Sequence, residues 1–190
     1  MLHYSDEDIV SGCLKNEKFF QELLYKQNAS KMFGICLRYA PNRDTANDMF
    51  QEGFIKVFQN LQKFKGQSAL SSWMYRIFIT TSINYIQRTL KTGFEVSINE
   101  QMNQIEDNVS EEEAQSWMDN VSAEEALAMV QELPEKYRLV INLYAVDKLN
   151  HGEIAKLLGI TETSSRSQLS RARKLLSEKL SHQMKRKFGE

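Results

Sequence analysis

Apolar residues recur every three or four positions along this chain, and that spacing predicts helices over most of its length. Ser5 followed by three acids is typical of a capped helix start, so a helix is expected from about Asp6. A longer apolar run over residues 19–39 is expected to end before Pro41, because proline cannot continue a helix.

The segment 45–61 is amphipathic when placed on a helical wheel. Its predicted core arc of about 140° holds seven residues: Ala46, Phe50, Gly53, Phe54, Val57, Phe58 and Leu61. The outer face combines acids and amides with two apolar side chains: Asp48, Met49, Glu52, Ile55 and Gln59. Because a solvated face rarely needs Met and Ile together, this face is interpreted as a docking surface.

A basic loop at residues 63–68 precedes another amphipathic helix, whose cap is expected to be Ser71 or Ser72. The face of this helix that points away from its apolar side carries Trp73, Ile77, Thr80, Thr81, Asn84 and Arg88. Trp73 has two interpretations, core packing or an exposed aromatic contact. The first domain is therefore predicted to be helical to about residue 90.

The C-terminal third has the pattern of a helix-turn-helix. Ser122 and Glu125 match a capping box, and Pro134 begins a further helix. Residues 151–158 and 162–180 then read as two helices, with Gly159 supplying a left-handed turn and Thr161 capping the second helix.

The second helix of this pair has two chemically different faces. Its apolar face is formed by Ser165, Leu169, Ala172 and Leu176. Its opposite face and edge carry small polar and cationic residues: Thr163, Ser164, Arg166, Ser167, Ser170, Arg171 and Lys174. Such a face fits the major groove of DNA, although a helical hairpin with a solvated charged face would show the same alternation.

Composition narrows the classes of protein. Eight Gly and two Pro among 190 residues disfavour an all-β fold. Two cysteines and three scattered histidines predict neither disulfides nor a metal site, and no cofactor motif, acid pair or activated nucleophile indicates an enzyme. The acidic N-terminus and the lack of a long apolar run lead us to expect a cytoplasmic protein. Because catalytic motifs are lacking, no small-molecule substrate is expected.

Charge divides the chain into three parts. Residues 1–91 carry 12 Lys/Arg against 8 Asp/Glu, residues 92–125 carry ten acids and no Lys or Arg, and residues 126–190 carry 12 against 7. We predict an all-α protein with helical domains at 1–91 and 122–190 and a flexible acidic linker at 92–121. The linker is either a solvated connector or an acidic mimic of nucleic acid that occupies a cationic groove on a partner.

Several segments together resemble one family. Residues 133–138 (LPEKYR), 150–160 (NHGEIAKLLGI) and 166–173 (RSQLSRAR) are similar to the C-terminal domain of extracytoplasmic-function (ECF) sigma factors of the sigma-70 superfamily. Residues 44–54 (DTANDMFQEGF) resemble the polymerase-binding helix of that family, and residues 64–88, with WMYRI at 73–77, resemble its promoter-melting segment.

The resemblance implies a bacterial transcription initiation factor without catalysis of its own. It would bind core RNA polymerase, recognise the minus-35 element of promoter DNA with the helix-turn-helix, and melt the minus-ten element with the N-terminal domain. An anti-sigma factor, which can be membrane-anchored, would be a further partner. No cofactor or metal is implied.

The resemblance and the helical faces described above together assign residues to each contact. Polymerase binding falls on Asp48, Met49, Gln51, Glu52 and Ile55. Minus-ten DNA binding falls on Lys63, Lys65, Trp73, Arg76, Thr80, Asn84 and Arg88. Minus-35 DNA binding falls on Thr163, Ser164, Arg166, Ser167, Ser170, Arg171 and Lys174.

The chain departs from the family pattern at several of these positions. Thr80 and Asn84 stand where the family usually has Asn and Asp, and Ile79 stands where Arg is common. Ser165 replaces a usual Val, and Gln168 replaces a frequent Arg. Promoter preference therefore cannot be copied from relatives.

Two alternative functions would show different binding behaviour. A stand-alone helix-turn-helix regulator would bind palindromic DNA by itself as a dimer. An all-helical adaptor would bind only protein and would lack a salt-dependent affinity for DNA.

The acidic segment yields a first prediction. Limited proteolysis of the free protein with a Glu-specific protease is expected to cleave first within residues 92–121, because a segment with eight acids and no Lys or Arg cannot easily bury a core. Mass spectrometry of the early fragments locates the cut. First cleavage inside either helical domain would contradict the assignment.

Overall fold

The computed structural model describes residues 4–93 and 122–188, and each of these two ranges forms a compact unit. The first unit contains four helices: α1 (Asp6–Leu14), α2 (Lys18–Tyr39), α3 (Arg43–Asn60) and α4 (Leu70–Gly93). A 3₁₀ turn, Leu61–Lys63, extends the end of α3. The described part of the chain contains no strand, so the all-α prediction is confirmed. The predicted linker lies outside the described residues.

Local sequence signals explain where these helices begin and end. Ser5 and Asp8 form a reciprocal capping box at α1, and hydrogen bonds from the Ser5 side chain and backbone lower the pKa of the Asp8 carboxyl. Helix α2 ends at Tyr39, two residues before Pro41, as predicted. Asn42 caps α3 by accepting a 2.8 Å hydrogen bond from the backbone N–H of Thr45.

The core of the first unit forms where α3 meets α2 and α4. Phe78 of α4 is fully buried and contacts the rings of Phe50 and Phe54 of α3. The absence of a side chain at Gly53 lets the Phe78 ring approach the α3 backbone, since a Cβ atom at Gly53 would lie 2.4 Å from Cε1 of that ring. Burial of such aromatic and aliphatic side chains is the main source of stability in a small domain.

The buried arc of α3 differs from the predicted one. Met49, expected on the outer face, is fully buried, whereas Phe58, expected in the core, is 38% exposed. Met49 continues the series Ala46–Met49–Gly53–Val57 of buried positions. Because α3 packs against both α2 and α4, its buried surface extends to a side that a single-arc wheel assigns to solvent.

The start of α4 also differs from the prediction. The helix begins at Leu70, so Ser71 and Ser72 lie inside its first turn and neither caps it. Asp6 of α1 instead accepts a 2.7 Å hydrogen bond from the backbone N–H of Leu70. Thr81, expected on the outer face of α4, is buried.

The second unit contains α5 (Ala123–Gln131), α6 (Glu135–Ile141), α7 (His151–Leu158) and α8 (Glu162–Phe188). A π-helical turn, Asn142–Val146, continues α6. The predicted capping box of Ser122 and Glu125 is confirmed, and α6 starts directly after Pro134. The predicted helix-turn-helix is confirmed as α7 and α8.

The core of the second unit is built mainly by α6 against α8. Leu169 and Ala172 of α8 are buried, together with a run of apolar residues in α6. Arg138 of α6 is also buried, and its Nη1 donates a 2.9 Å hydrogen bond to the carbonyl oxygen of Gln131. Burial lowers the pKa of Arg138, because a low-dielectric site disfavours the charged form.

Within the described residues, no helix is both long enough and apolar enough to cross a membrane.

The contact between Gly53 and Phe78 yields a second prediction. Gly53→Ala is expected to lower the free energy of unfolding by about 1–3 kcal/mol, because the new methyl group overlaps a fully buried ring. The control is Gly34→Ala in α2, where a Cβ atom meets nothing within 4 Å and the same change should stabilise the helix by about 0.5–1 kcal/mol. Urea denaturation followed by circular dichroism measures both. Equal effects of the two substitutions would contradict this packing.

Candidate polymerase and nucleic-acid interfaces

The outward face of α3 carries four of the five residues predicted to bind polymerase. Asp48, Gln51 and Ile55 are exposed and lie at helical spacing, with Glu52 half-buried beside them. Ile55 is 55% exposed, which makes it one of the most exposed large apolar residues among those described. Met49 does not belong to this face, because it is buried in the core.

Asp48 and Glu52, the two acids of this face, contact side chains of α4. The hydroxyl of Tyr85 donates a 2.9 Å hydrogen bond to Oδ2 of Asp48, and this bond raises the pKa of Tyr85. Glu52 bridges two cations, with Oε1 at 2.8 Å from Nζ of Lys56 and Oε2 at 2.9 Å from Nη2 of Arg88. Partial burial raises the pKa of Glu52, but the hydrogen bonds and charges of Lys56 and Arg88 outweigh it, so the net pKa lies below its usual value.

These contacts connect the predicted polymerase surface with the predicted minus-ten DNA surface, which the sequence analysis assigned separately. Asp48 and Glu52 were assigned to polymerase, whereas Arg88 was assigned to minus-ten DNA. In the structure, Glu52 and Arg88 form an ion pair between α3 and α4. A charge reversal at Glu52 would therefore place a cation beside Lys56 and Arg88, so it would disturb the helix pair as well as the surface.

The loop between the 3₁₀ turn and α4 is fixed at its first residues. Lys63 donates a 2.8 Å hydrogen bond from Nζ to Oδ1 of Asn60. The rings of Phe64 and Trp73 meet edge to face with 5.5 Å between centroids, so Trp73 is half-buried. Lys65 is exposed, and Gly66 follows with a φ of 68°, a conformation that favours glycine.

The outer face of α4 continues from this loop. Arg76, Thr80, Asn84 and Arg88 are exposed along the helix. The hydroxyl of Thr80 donates a 2.9 Å hydrogen bond to the carbonyl oxygen of Arg76. The four residues therefore form a polar stripe with two cations, which can contact a phosphate backbone and bases.

The turn between α7 and α8 has the geometry that its sequence predicts. Gly159 ends α7 in the left-handed region, with φ 69° and ψ 34°. The side-chain oxygen of Thr161 accepts a 3.0 Å hydrogen bond from the backbone N–H of Ser164 at the start of α8. Both predicted roles are confirmed.

The faces of α8 are separated by burial. Ser165, Leu169 and Ala172 are buried, as the pattern predicted for three of the four apolar-face residues. On the other side, Thr163 and Arg166 are exposed, and the remaining predicted DNA-binding residues are half-buried: Ser164, Ser167, Ser170, Arg171 and Lys174.

Some polar side chains of α8 already have partners within the protein. The hydroxyl of Ser164 accepts a 3.1 Å hydrogen bond from Nε2 of Gln168. Arg166 lies 3.6 Å from Glu162 in an exposed i,i+4 ion pair, which is a weak interaction that DNA phosphate can replace. Lys179 pairs with Glu132 at the end of α5, so this cation supports the fold of the unit.

Comparison with known families decides the identity. The model of sigma-70 region 2 matches residues 24–92, and the model of sigma-70 region 4 matches residues 123–176. Together the two models cover well over half of the chain, in the order in which the two helical units occur.

The chain belongs to the sigma-70 family. It is a promoter-recognising transcription initiation factor that works with core RNA polymerase. The stand-alone dimeric regulator is not favoured, because such a protein has no need of a region 2.

Individual relatives agree with this conclusion. The chain is 29% identical over 181 residues to the ECF RNA polymerase sigma-E factor of Escherichia coli, covering 93% of this chain and 94% of the relative. It is 28% identical over 182 residues to the RNA polymerase sigma-H factor of Pseudomonas aeruginosa, covering 92% and 93%. The fold is similar to that of the sigma factor RpoE of Bartonella quintana, solved with the anti-sigma factor NepR: the TM-score is 0.52 at 20% identity, covering 87% of this chain and 98% of the other.

Several contacts of this sigma factor were missed by the sequence analysis. Nδ1 of His151 lies 2.9 Å from Oγ of the buried Ser165, and the ring of His151 stacks on Tyr144 at 4.9 Å between centroids. Arg173 also contacts Tyr144, with its Cζ 5.6 Å from the centroid of that ring. No short motif links residues so far apart in sequence.

One missed feature was visible in the sequence. Asn150 and Glu153 form a capping box at the start of α7, with hydrogen bonds of 3.0 and 2.8 Å. An Asn three residues before a Glu and ahead of an apolar run is the pattern of such a box.

Reactive groups are scarce in the described part of the sigma factor. No cluster of His, Cys, Asp and Glu among those residues could hold a metal ion. Burial raises the pKa of Cys36 to about 12, which keeps this thiol protonated at neutral pH.

Proposed function

We propose that each exposed face described above carries one contact of the initiation complex. The outer face of α3 docks on core polymerase, the loop at 63–69 with the stripe on α4 contacts melted minus-ten DNA, and α8 reads the minus-35 element. The observation that supports this division most directly is in α8, where burial of Leu169 and Ala172 leaves Thr163 and Arg166 facing solvent.

For polymerase docking, we assign Asp48, Gln51 and Ile55 as the contact residues. Ile55 is exposed on the same helix face as the Asp48 carboxylate. Protein interfaces commonly combine an apolar anchor with a charged neighbour in this way. Glu52 contributes mainly by holding Arg88 and Lys56, because its carboxylate is already shared between them. Met49 is buried in the core and is not one of these contact residues.

For minus-ten DNA, we propose that the exposed loop receives unstacked bases. Lys65 is exposed in this loop, and Lys63 adds a second cation. Single-stranded DNA binds where aromatic side chains and cations lie together, and Phe64 and Trp73 supply the aromatic surface. Arg76, Thr80, Asn84 and Arg88 then follow the upstream backbone along α4.

For minus-35 DNA, we propose that Arg166 and Arg171 read bases and that Thr163, Ser164, Ser167, Ser170 and Lys174 contact the backbone. A recognition helix presents its N-terminal residues to base edges in the major groove. Arg166 is in the first turns of α8 and 65% exposed at its side chain.

The remaining assignments follow from this function. We propose that the functional domains span 1–91 and 122–190, that 92–121 connects them, and that the protein has no catalytic activity of its own. It would act in the cytoplasm, where core polymerase and promoter DNA are found. An anti-sigma factor is a further proposed partner, as in the complex of the Bartonella quintana sigma factor with NepR.

The polymerase contact is tested with Asp48→Asn and Ile55→Ala. Each is expected to weaken binding to purified core polymerase on the order of tenfold, because each removes one central interface group. The matched control is Tyr85→Phe, which removes the internal partner of Asp48 but leaves the carboxylate on the surface. Fluorescence anisotropy of labelled protein gives the affinities. If Asp48→Asn and Tyr85→Phe weaken binding equally, Asp48 acts through α4 and the docking assignment is wrong.

The minus-35 contact is tested with Arg166→Ala and Arg171→Ala in run-off transcription over single-base promoter variants. Loss of a bidentate Arg–guanine contact is expected to reduce discrimination at one upstream position by about 1–3 kcal/mol, roughly five- to 150-fold. Lys156→Ala is the control, since it removes an exposed cation from α7. Retention of the wild-type base preference in both Arg variants would show that α8 contacts only phosphates.

A further inference from the structure

The N-terminus of α4 is held by a residue from the other end of the unit. Oδ2 of Asp6, the first residue of α1, accepts a 2.7 Å hydrogen bond from the backbone N–H of Leu70, the first residue of α4. The two residues are 64 positions apart in the sequence. Leu70 is buried, so this bond lies at the edge of the core.

Helix α4 lacks a capping side chain of its own. The carbonyl oxygen of Ala69 accepts the first helical hydrogen bonds, from the N–H groups of Ser72 at 3.0 Å and Trp73 at 3.1 Å. Ala69 therefore occupies the capping position, and alanine has no side-chain oxygen to offer the unpaired N–H groups. Asp6 supplies that oxygen, and its negative charge is favourable at the positive end of the helix dipole.

The bond fixes one end of the loop that we assign to minus-ten DNA. The other end is fixed by the buried Leu61 and by the edge-to-face contact of Phe64 with Trp73. Between these points residues 65–69 are exposed. An exposed loop anchored at both ends presents its side chains in a restricted set of positions, which lowers the entropy lost on binding.

We infer that Asp6 is a positioning residue for promoter melting: its carboxylate sets where α4 begins and thereby holds the loop in the conformation that receives the minus-ten strand. The inference rests on the proposed role of that loop. Asp6 does not contact DNA itself. Its neighbour Asp8 serves a different purpose, because it closes the capping box of α1 with Ser5.

The first measurement concerns the free protein and does not depend on DNA. Asp6→Ala is expected to raise hydrogen exchange at the Leu70 amide about fivefold, which corresponds to the loss of about 1 kcal/mol typical of a removed cap. Asp6→Asn should give an intermediate value, since the amide oxygen can still accept the bond without the charge. Glu7→Ala is the matched control, because it removes an exposed acid from the same turn. Unchanged exchange at Leu70 in Asp6→Ala would overturn the inference.

The second measurement uses holoenzyme and a single-stranded oligonucleotide. Its sequence is the non-template minus-ten strand of a promoter found by mapping transcript starts. Asp6→Ala is expected to weaken oligonucleotide binding about fivefold, in proportion to the lost cap, and to reduce discrimination against single-base changes. Core polymerase affinity and circular dichroism should remain as in the wild type, and Glu7→Ala should bind normally.

The substitution Lys65→Ala tests the role of the loop separately from the role of Asp6. If Lys65→Ala leaves oligonucleotide binding unchanged, the loop is not the minus-ten contact, and both the proposed role and the inference are wrong. If Lys65→Ala weakens binding while Asp6→Ala does not, the loop assignment stands and Asp6 is only a structural cap. Weakening by both, with partial recovery in Asp6→Asn, supports the inference.

Discussion

The close approach of α3 and α4 at Gly53 and Phe78 determines most of what the first unit can do. A ring that lies against a glycine brings two helices nearer than paired side chains would allow. At that distance Asp48 reaches Tyr85, and Glu52 reaches Arg88 one turn further on. The polar surface of the unit is therefore a consequence of its apolar core, and the proposed polymerase and DNA contacts share the same pair of helices.

Internal ion pairs constrain cations on both surfaces of the free protein. Glu52 holds Arg88, and Glu162 lies beside Arg166 on the recognition helix. An exposed ion pair of this kind contributes little to stability, but it limits the rotamers of the cation. In the proposed DNA contacts, phosphate takes the place of the carboxylate as the partner of the cation.

The second unit shows how a polar group can be accommodated in the core of a DNA-binding domain. Ser165 occupies a buried position where the family usually has Val, and its hydroxyl is satisfied by His151 across the helix-turn-helix. A buried hydroxyl without a partner would cost about 1–3 kcal/mol. The bond also links the first residue of α7 to the recognition helix, and so helps to fix the angle between them.

The sequence by itself determined the features that depend on near neighbours. Ser5 and Gly159 act where their patterns predict, since caps and left-handed turns are decided within a few residues. The tertiary structure alone decided the burial of Met49, the cap that Asp6 provides to α4, and the partner of Ser165. A helical wheel shows which residues share a face but not how many helices pack against it. A hydrogen bond between residues 64 positions apart likewise leaves no periodic signal, because only the folded chain brings the two groups together.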